Sequence, residues 1–185
     1  MSIVVAMMAF SSCKCSSDIQ EVEKTELVVE NVVSADRQYM FLNYGEDYRW
    51  FETCIVLDNY LDADTTIAIH GISNVFQVVK EEGTSADVTV ISIAHVADTS
   101  GIDVREHSFW VGDVVLNEEV IKLTFDDAFN RLMETNIPKP HSRYCVLREE
   151  VGAKDINPQY IFGNDQYQVY VDAVTGDVTD ENPAF

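Results

Sequence analysis

A chain of 185 residues, 46% hydrophobic and 10% aromatic, has the material for packed cores, as one large domain or two small ones, and excludes disorder over most of its length. Twelve Lys plus Arg against thirty-two Asp plus Glu give a formal net charge of -20, a field that repels nucleic-acid phosphates and anionic lipid headgroups. Nucleic acid is therefore excluded as a partner, and the acidic excess reads first as a solubilising surface.

Residues 3–10 form an uncharged apolar run that ends at Ser11, Ser12, Cys13, Lys14 and Cys15. The run is far shorter than the roughly 20 apolar residues of a membrane-spanning helix, and it fits the core of a secretory signal peptide. Its end resembles a bacterial lipobox, with Phe10, Ser11 and Ser12 before Cys13; Cys15 follows Lys14 and fits less well. That resemblance implies export, cleavage and acylation of Cys13, so that residues 1–17 are leader and acylation site and residues 18–24 a tether. The membrane would then be reached through the lipid anchor alone, periplasmic or on the surface. A zinc site is not expected from Cys13 and Cys15, because a lone C-x-C supplies two ligands. In an oxidising compartment Cys54 and Cys145 either pair as a disulfide or remain two separate buried thiols.

Residues 25–116 read as β-rich. Runs of β-branched and aromatic residues occupy 26–33, 48–57, 74–79, 88–96 and 104–116, with turn residues between them. The run at 88–96 is apolar on both faces and is expected in the middle of a sheet. The run at 104–116 has no clean amphipathic face and is expected at an edge or as an exposed aromatic strip. Residues 34–42 suit either a short helix or a continuing strand.

The clearest helix lies at 124–136. Phe125, Ala128, Phe129, Leu132 and Met133 recur at the spacing of one buried face, Thr124 is placed to cap it, and Pro138 and Pro140 stop it. Strand-like runs follow at 144–147, 159–162 and 167–171. The expected class is α+β, a mainly antiparallel sheet with this helix packed on it. Within that region Leu123 to Phe129, with Ala128 on the inner face, and Val171-Asp172-Ala173-Val174-Thr175-Gly176-Asp177-Val178 resemble the PepSY family. The resemblance covers residues 118–178 and makes 117–185 a PepSY-like module. It implies an exported protein that restrains a peptidase, and it brings no catalytic residues.

Motifs for chemistry are sparse. His70, His95, His107 and His141 are scattered, no acyl-transfer elbow or nucleotide loop is present, and no cofactor is expected. Asp58, Asp62 and Asp64 lack the order of a calcium loop and read as solvated. The cations Lys122, Arg131, Lys139, Arg143, Arg148 and Lys154 gather around the helix and the loop after it. Lys139, His141, Arg143 and Tyr144 are accordingly candidates for contact with an acidic partner or a terminal carboxylate. Tyr48, Trp50, Phe109 and Trp110 are candidates for stacking on sugar rings. The expected function is a non-enzymatic protein-binding module for an exported protein, with a surface glycan or small ligand as the alternative.

Overall fold

The computed structural model describes residues 26–63, 66–82, 85–108, 114–149 and 156–184. Among the described residues eight strands form one antiparallel sheet in the order β4-β3-β2-β1-β5-β6-β7-β8. They are β1 (Tyr48–Leu57), β2 (Ile69–Glu82), β3 (Ser85–Val96), β4 (Ile102–His107), β5 (Tyr144–Arg148), β6 (Gln159–Asn164), β7 (Tyr167–Asp172) and β8 (Val178–Thr179). Two α-helices among the described residues, α1 (Val29–Tyr44) and α2 (Phe125–Glu134), accompany it, and the α+β class expected from the sequence is what forms. The strands of both sequence regions share this sheet, because β1 pairs with β2 on one side and β5 on the other. Among the described residues no helix is long and apolar enough to cross a membrane.

Helix α2 follows its sequence pattern closely. Phe125, Ala128, Phe129 and Leu132 are buried, and the first turn closes a capping box in which Asp127 N–H donates to Thr124 Oγ1 at 3.1 Å and Thr124 N–H to Asp127 Oδ2 at 3.1 Å. The Thr124 hydroxyl, which donates to Asp127 Oδ2 at 2.8 Å, and then the Thr124 N–H hold the Asp127 carboxyl below its ordinary value. The stripe packs on Cys145, Tyr160, Phe162, Val169 and Val171 of β5 to β7, with the Phe125 and Phe162 rings 6.1 Å apart. Each large side chain buried this way contributes about 1.5–3 kcal/mol.

Helix α1 corrects the sequence reading of a strand at 26–33. Val29, Val32, Val33, Asp36 and Met40 are its buried residues, at offsets of three, four, seven and eleven, which is a helical face. The β-branched residues favour a strand locally, but only the helix turns Val29, Val32 and Val33 together toward the sheet. The helix continues through the ambiguous segment to Gly45, whose φ of 74° accommodates the chain reversal while its N–H bonds Phe41 O at 3.0 Å.

Strand β3 is also placed differently: it lies second from an edge, not centrally, and Val88 and Val96 near its ends are 45% and 39% exposed. Its middle is buried by the helix side, where Ile91 and Ile93 join Met40, Phe76 and Val78 in a second apolar cluster. Strand β4 is the edge, as expected for that run.

The β7–β8 connection realises the turn chemistry of its sequence. Asp172 Oδ1 accepts from Val174 N–H and Thr175 N–H, both at 2.8 Å, and Gly176 takes φ of 80°. Burial pushes the Asp172 carboxyl up, yet these donors together with the Asn157 and Gln159 side chains hold it below its ordinary value.

Truncating Phe129 to Ala should cost about 3–5 kcal/mol through the cavity left under α2. A urea titration followed by circular dichroism checks this, with a lower midpoint and an unchanged slope expected.

Candidate functional site

The two helices lie on one face of the sheet, and a lane remains between α1 and the chain that leads into α2. Its position is set by a buried polar chain beneath α1. Asp36, only 2% exposed, accepts from Asn74 Nδ2 at 2.7 Å and meets His95 Nε2 at 2.7 Å; Asn74 in turn accepts from Thr53 Oγ1. Thr53, Asn74 and His95 stand on β1, β2 and β3, so one helical carboxylate reaches three strands through two direct contacts. Burial pushes the Asp36 carboxyl above its ordinary value, against the lowering effect of Asn74 and His95.

The other wall is the segment 116–124. Leu116 N–H bonds Trp50 O at 2.9 Å, Lys122 and Leu123 N–H both bond Ala173 O, and Tyr160 Oη donates to Leu123 O at 3.0 Å. Glu30 of α1 crosses the lane and accepts from Phe125 N–H at 2.8 Å, joining α1 to the first turn of α2. A register shift between Trp50 and Glu52 marks a bulge in β1, and Trp50 Nε1 donates across it to Glu52 O at 3.1 Å.

Two cavities open along this lane. One, about 320 Å³, is lined by Val33, Trp50, Leu147 and Tyr160, with Glu30 and Lys122 at its rim. The other, about 350 Å³, is lined by Phe41, Tyr48, Trp50 and Leu116, with Glu46 and Arg49 at its rim. Trp50, Arg37 and Glu118 line both. Arg37 of α1 and Glu118, in the three-residue 3-10 turn Glu118–Val120, bridge the lane where the cavities meet. A further hollow of about 330 Å³ lies at the other end of α1 and collects Glu26, Asp58 and Asp126. There burial, then Glu30, Asp127 and Glu26, push the Asp126 carboxyl up.

The residues singled out from the sequence are dispersed. Lys139 is not a free cation: its Nζ donates to Thr135 O at 2.8 Å, Thr135 Oγ1 at 3.2 Å and Ile137 O at 2.8 Å, closing the carboxyl end of α2, and desolvation lowers its pKa. Arg143 Nε donates to Leu57 O at 2.6 Å. His141 faces Asp62 at 2.9 Å and stacks on Tyr60 with ring centroids 4.3 Å apart. Of that group His141, whose side chain is 73% exposed, and Tyr144, 56% exposed, stand open to solvent. Tyr48 and Trp50 do meet at the lane, but Tyr48 packs edge-on against Phe76 at 5.8 Å. Cys13, Phe109 and Trp110 lie outside the described residues.

Cys54 and Cys145 are free thiols on neighbouring strands. Cys54 pairs in register with Val146 and Cys145 with Ile55, so the pleat turns the two side chains to opposite faces and the disulfide does not form. Burial, with Glu52 beside it, pushes the Cys54 thiol up to about 12, and burial raises Cys145 well above its ordinary value. Sequence reading missed Asp36, Arg37, Asn74 and Glu118, and named His95 without its partner. The one available signal was Asp36, a carboxylate at a core position of the α1 stripe.

No protein-family model matches this chain, and no curated protein matches it. A solved structure of a candidate lipoprotein from Clostridium difficile is 14% identical, with a TM-score of 0.48, over 85% of this chain and 93% of that one.

Because the folded-state pKa of Asp36 is raised, the stability it contributes is fully present below the unfolded value near 3.8 and is lost as pH rises through the folded value. Asp36→Asn removes that titration. The stability of the native chain relative to this variant should therefore decline as pH is raised from below 3.8, which paired urea titrations across the acid range will show.

Proposed function

We propose that this chain is an exported, lipid-anchored bacterial protein that works as a non-enzymatic binding module, holding an extended segment of another exported protein in the lane between α1 and residues 116–124. Two cavities of similar size in series, about 320 and 350 Å³ with Trp50 common to both, carry this reading. A row of two small, open pockets suits successive side chains of an extended peptide better than one enclosed small molecule. The apolar run at 3–10 followed by Cys13 supports export and anchoring, and the acidic surface supports solubility outside the cell.

The resemblance of residues 118–178 to PepSY modules supports a peptidase as the partner, restrained by occupation of this lane. Sugar stacking is less favoured, because the Tyr48 ring is engaged by Phe76 and the Trp50 indole N–H by Glu52 O. The buried Asp36–His95 pair is used to hold α1, which favours binding over catalysis.

A photo-crosslinking amino acid in place of Phe41, which is 51% exposed at the lane, should capture a defined exported protein in intact cells. The same probe at Tyr144 should not. Equal capture from both positions, or none from Phe41, removes the lane from the account.

A further inference from the structure

The charges around the lane point to what the bound segment carries, and the argument rests on the groove reading above. Arg37, Arg49 and Lys122, three of the twelve basic residues of a chain with net charge -20, line the two cavities together with Glu30, Glu46 and Glu118, and Glu30 is engaged by the Phe125 N–H. Arg37 meets Glu118 fork to fork: Nη2 donates to Oε1 at 2.8 Å, and Nη1 contacts Oε2. The two side chains are 40% and 41% exposed, so the pair contributes at most about 1 kcal/mol to folding and is not what fixes the walls. Glu118 belongs to a three-residue turn without a side-chain cap, whereas Arg37 stands next to the firmly held Asp36. Arg49 is exposed and has no ion-pair partner among the described residues.

The bridge crosses the lane at the point where the two cavities meet. A segment that occupies both must part it, and Arg37 would then lose a carboxylate partner unless the segment supplies another. We propose that Glu118 is an intrachain stand-in for the ligand, and that the lane recognises an extended segment with a carboxylate side chain, Asp or Glu, between two apolar residues. The carboxylate replaces Glu118 on Arg37, the flanking side chains enter the two cavities against Trp50, and Arg49 and Lys122 offset the charge the segment brings in. Glu118 then sets a threshold: segments without the acid leave the bridge closed.

A library of random octapeptides, acetylated and amidated so that every carboxylate is a side chain, tests this on the immobilised full chain. A matched library carries Asn and Gln in place of Asp and Glu, and a third keeps free carboxyl termini without acidic side chains. The native chain should enrich apolar-acid-apolar peptides at least tenfold over the amide library and over the free-terminus library. Arg37→Gln should erase the preference for acid while keeping that for apolar residues, and Arg37→Lys should restore it in part. Glu118→Gln should raise retention of acidic peptides severalfold, a gain that misfolding does not produce. Equal retention of the acidic and amide libraries overturns the carboxylate inference and leaves the groove reading standing, as does a preference for free termini. No retention of any library, or retention indifferent to both residues and to apolar content, overturns both.

Discussion

A single buried carboxylate fixes where α1 lies. Asp36 is withdrawn from water into an apolar layer and there finds the Asn74 amide and the His95 ring, each at 2.7 Å. On either side of this contact sit separate apolar clusters, one reaching from α1 to α2, the other gathered around Met40, Phe76, Ile91 and Ile93. Apolar burial supplies most of the attraction between α1 and the sheet, but it is non-directional and would tolerate a helix displaced along the strands. The polar chain would not. Sliding the helix leaves a carboxylate, an amide and an imidazole with unmet bonds, each costing about 1–3 kcal/mol when buried. The register of α1, and with it the place of Arg37 in the lining of both cavities, follows from that cost.

Helix α2 is held by different means. Its capping box and the aromatic contacts among Phe125, Phe129 and Phe162 involve no residue of α1. Among the described residues Glu30 on the α2 amide end, and the apolar packing of Val29, Val32 and Val33, tie the two helices together. The result is a lane walled by α1 on one side and residues 116–124 on the other. The Arg37–Glu118 bridge across it is exposed and weak, whereas Asp36 is buried beneath the α1 wall.

The contrast between the helices also explains what the sequence revealed. Phe125, Ala128, Phe129 and Leu132 announce α2 because their spacing has no strand reading, and the turn at Asp172 to Gly176 is legible because its bonds are local. Helix α1 was hidden, since Val28, Val29, Val32 and Val33 favour strands residue by residue and its helical face is evident only once Asp36 is counted as buried. The lane was hidden more deeply. Arg37 and Glu118 stand 81 positions apart, Asp36 and His95 59, and no local pattern connects them. Lys139 misled for a related reason: a cation after a helix reads as free charge, yet the carbonyls left open at the end of α2 lie within its reach.

Hydrogen–deuterium exchange on Asp36→Ala tests the central claim most directly, because it reports each helix separately. If Asp36 fixes α1, amides across Val29–Tyr44 should lose about 2–3 kcal/mol of protection, roughly a hundredfold in exchange, while those of Phe125–Glu134 keep theirs. Unchanged protection of α1 would contradict the account, as would an equal loss in both helices.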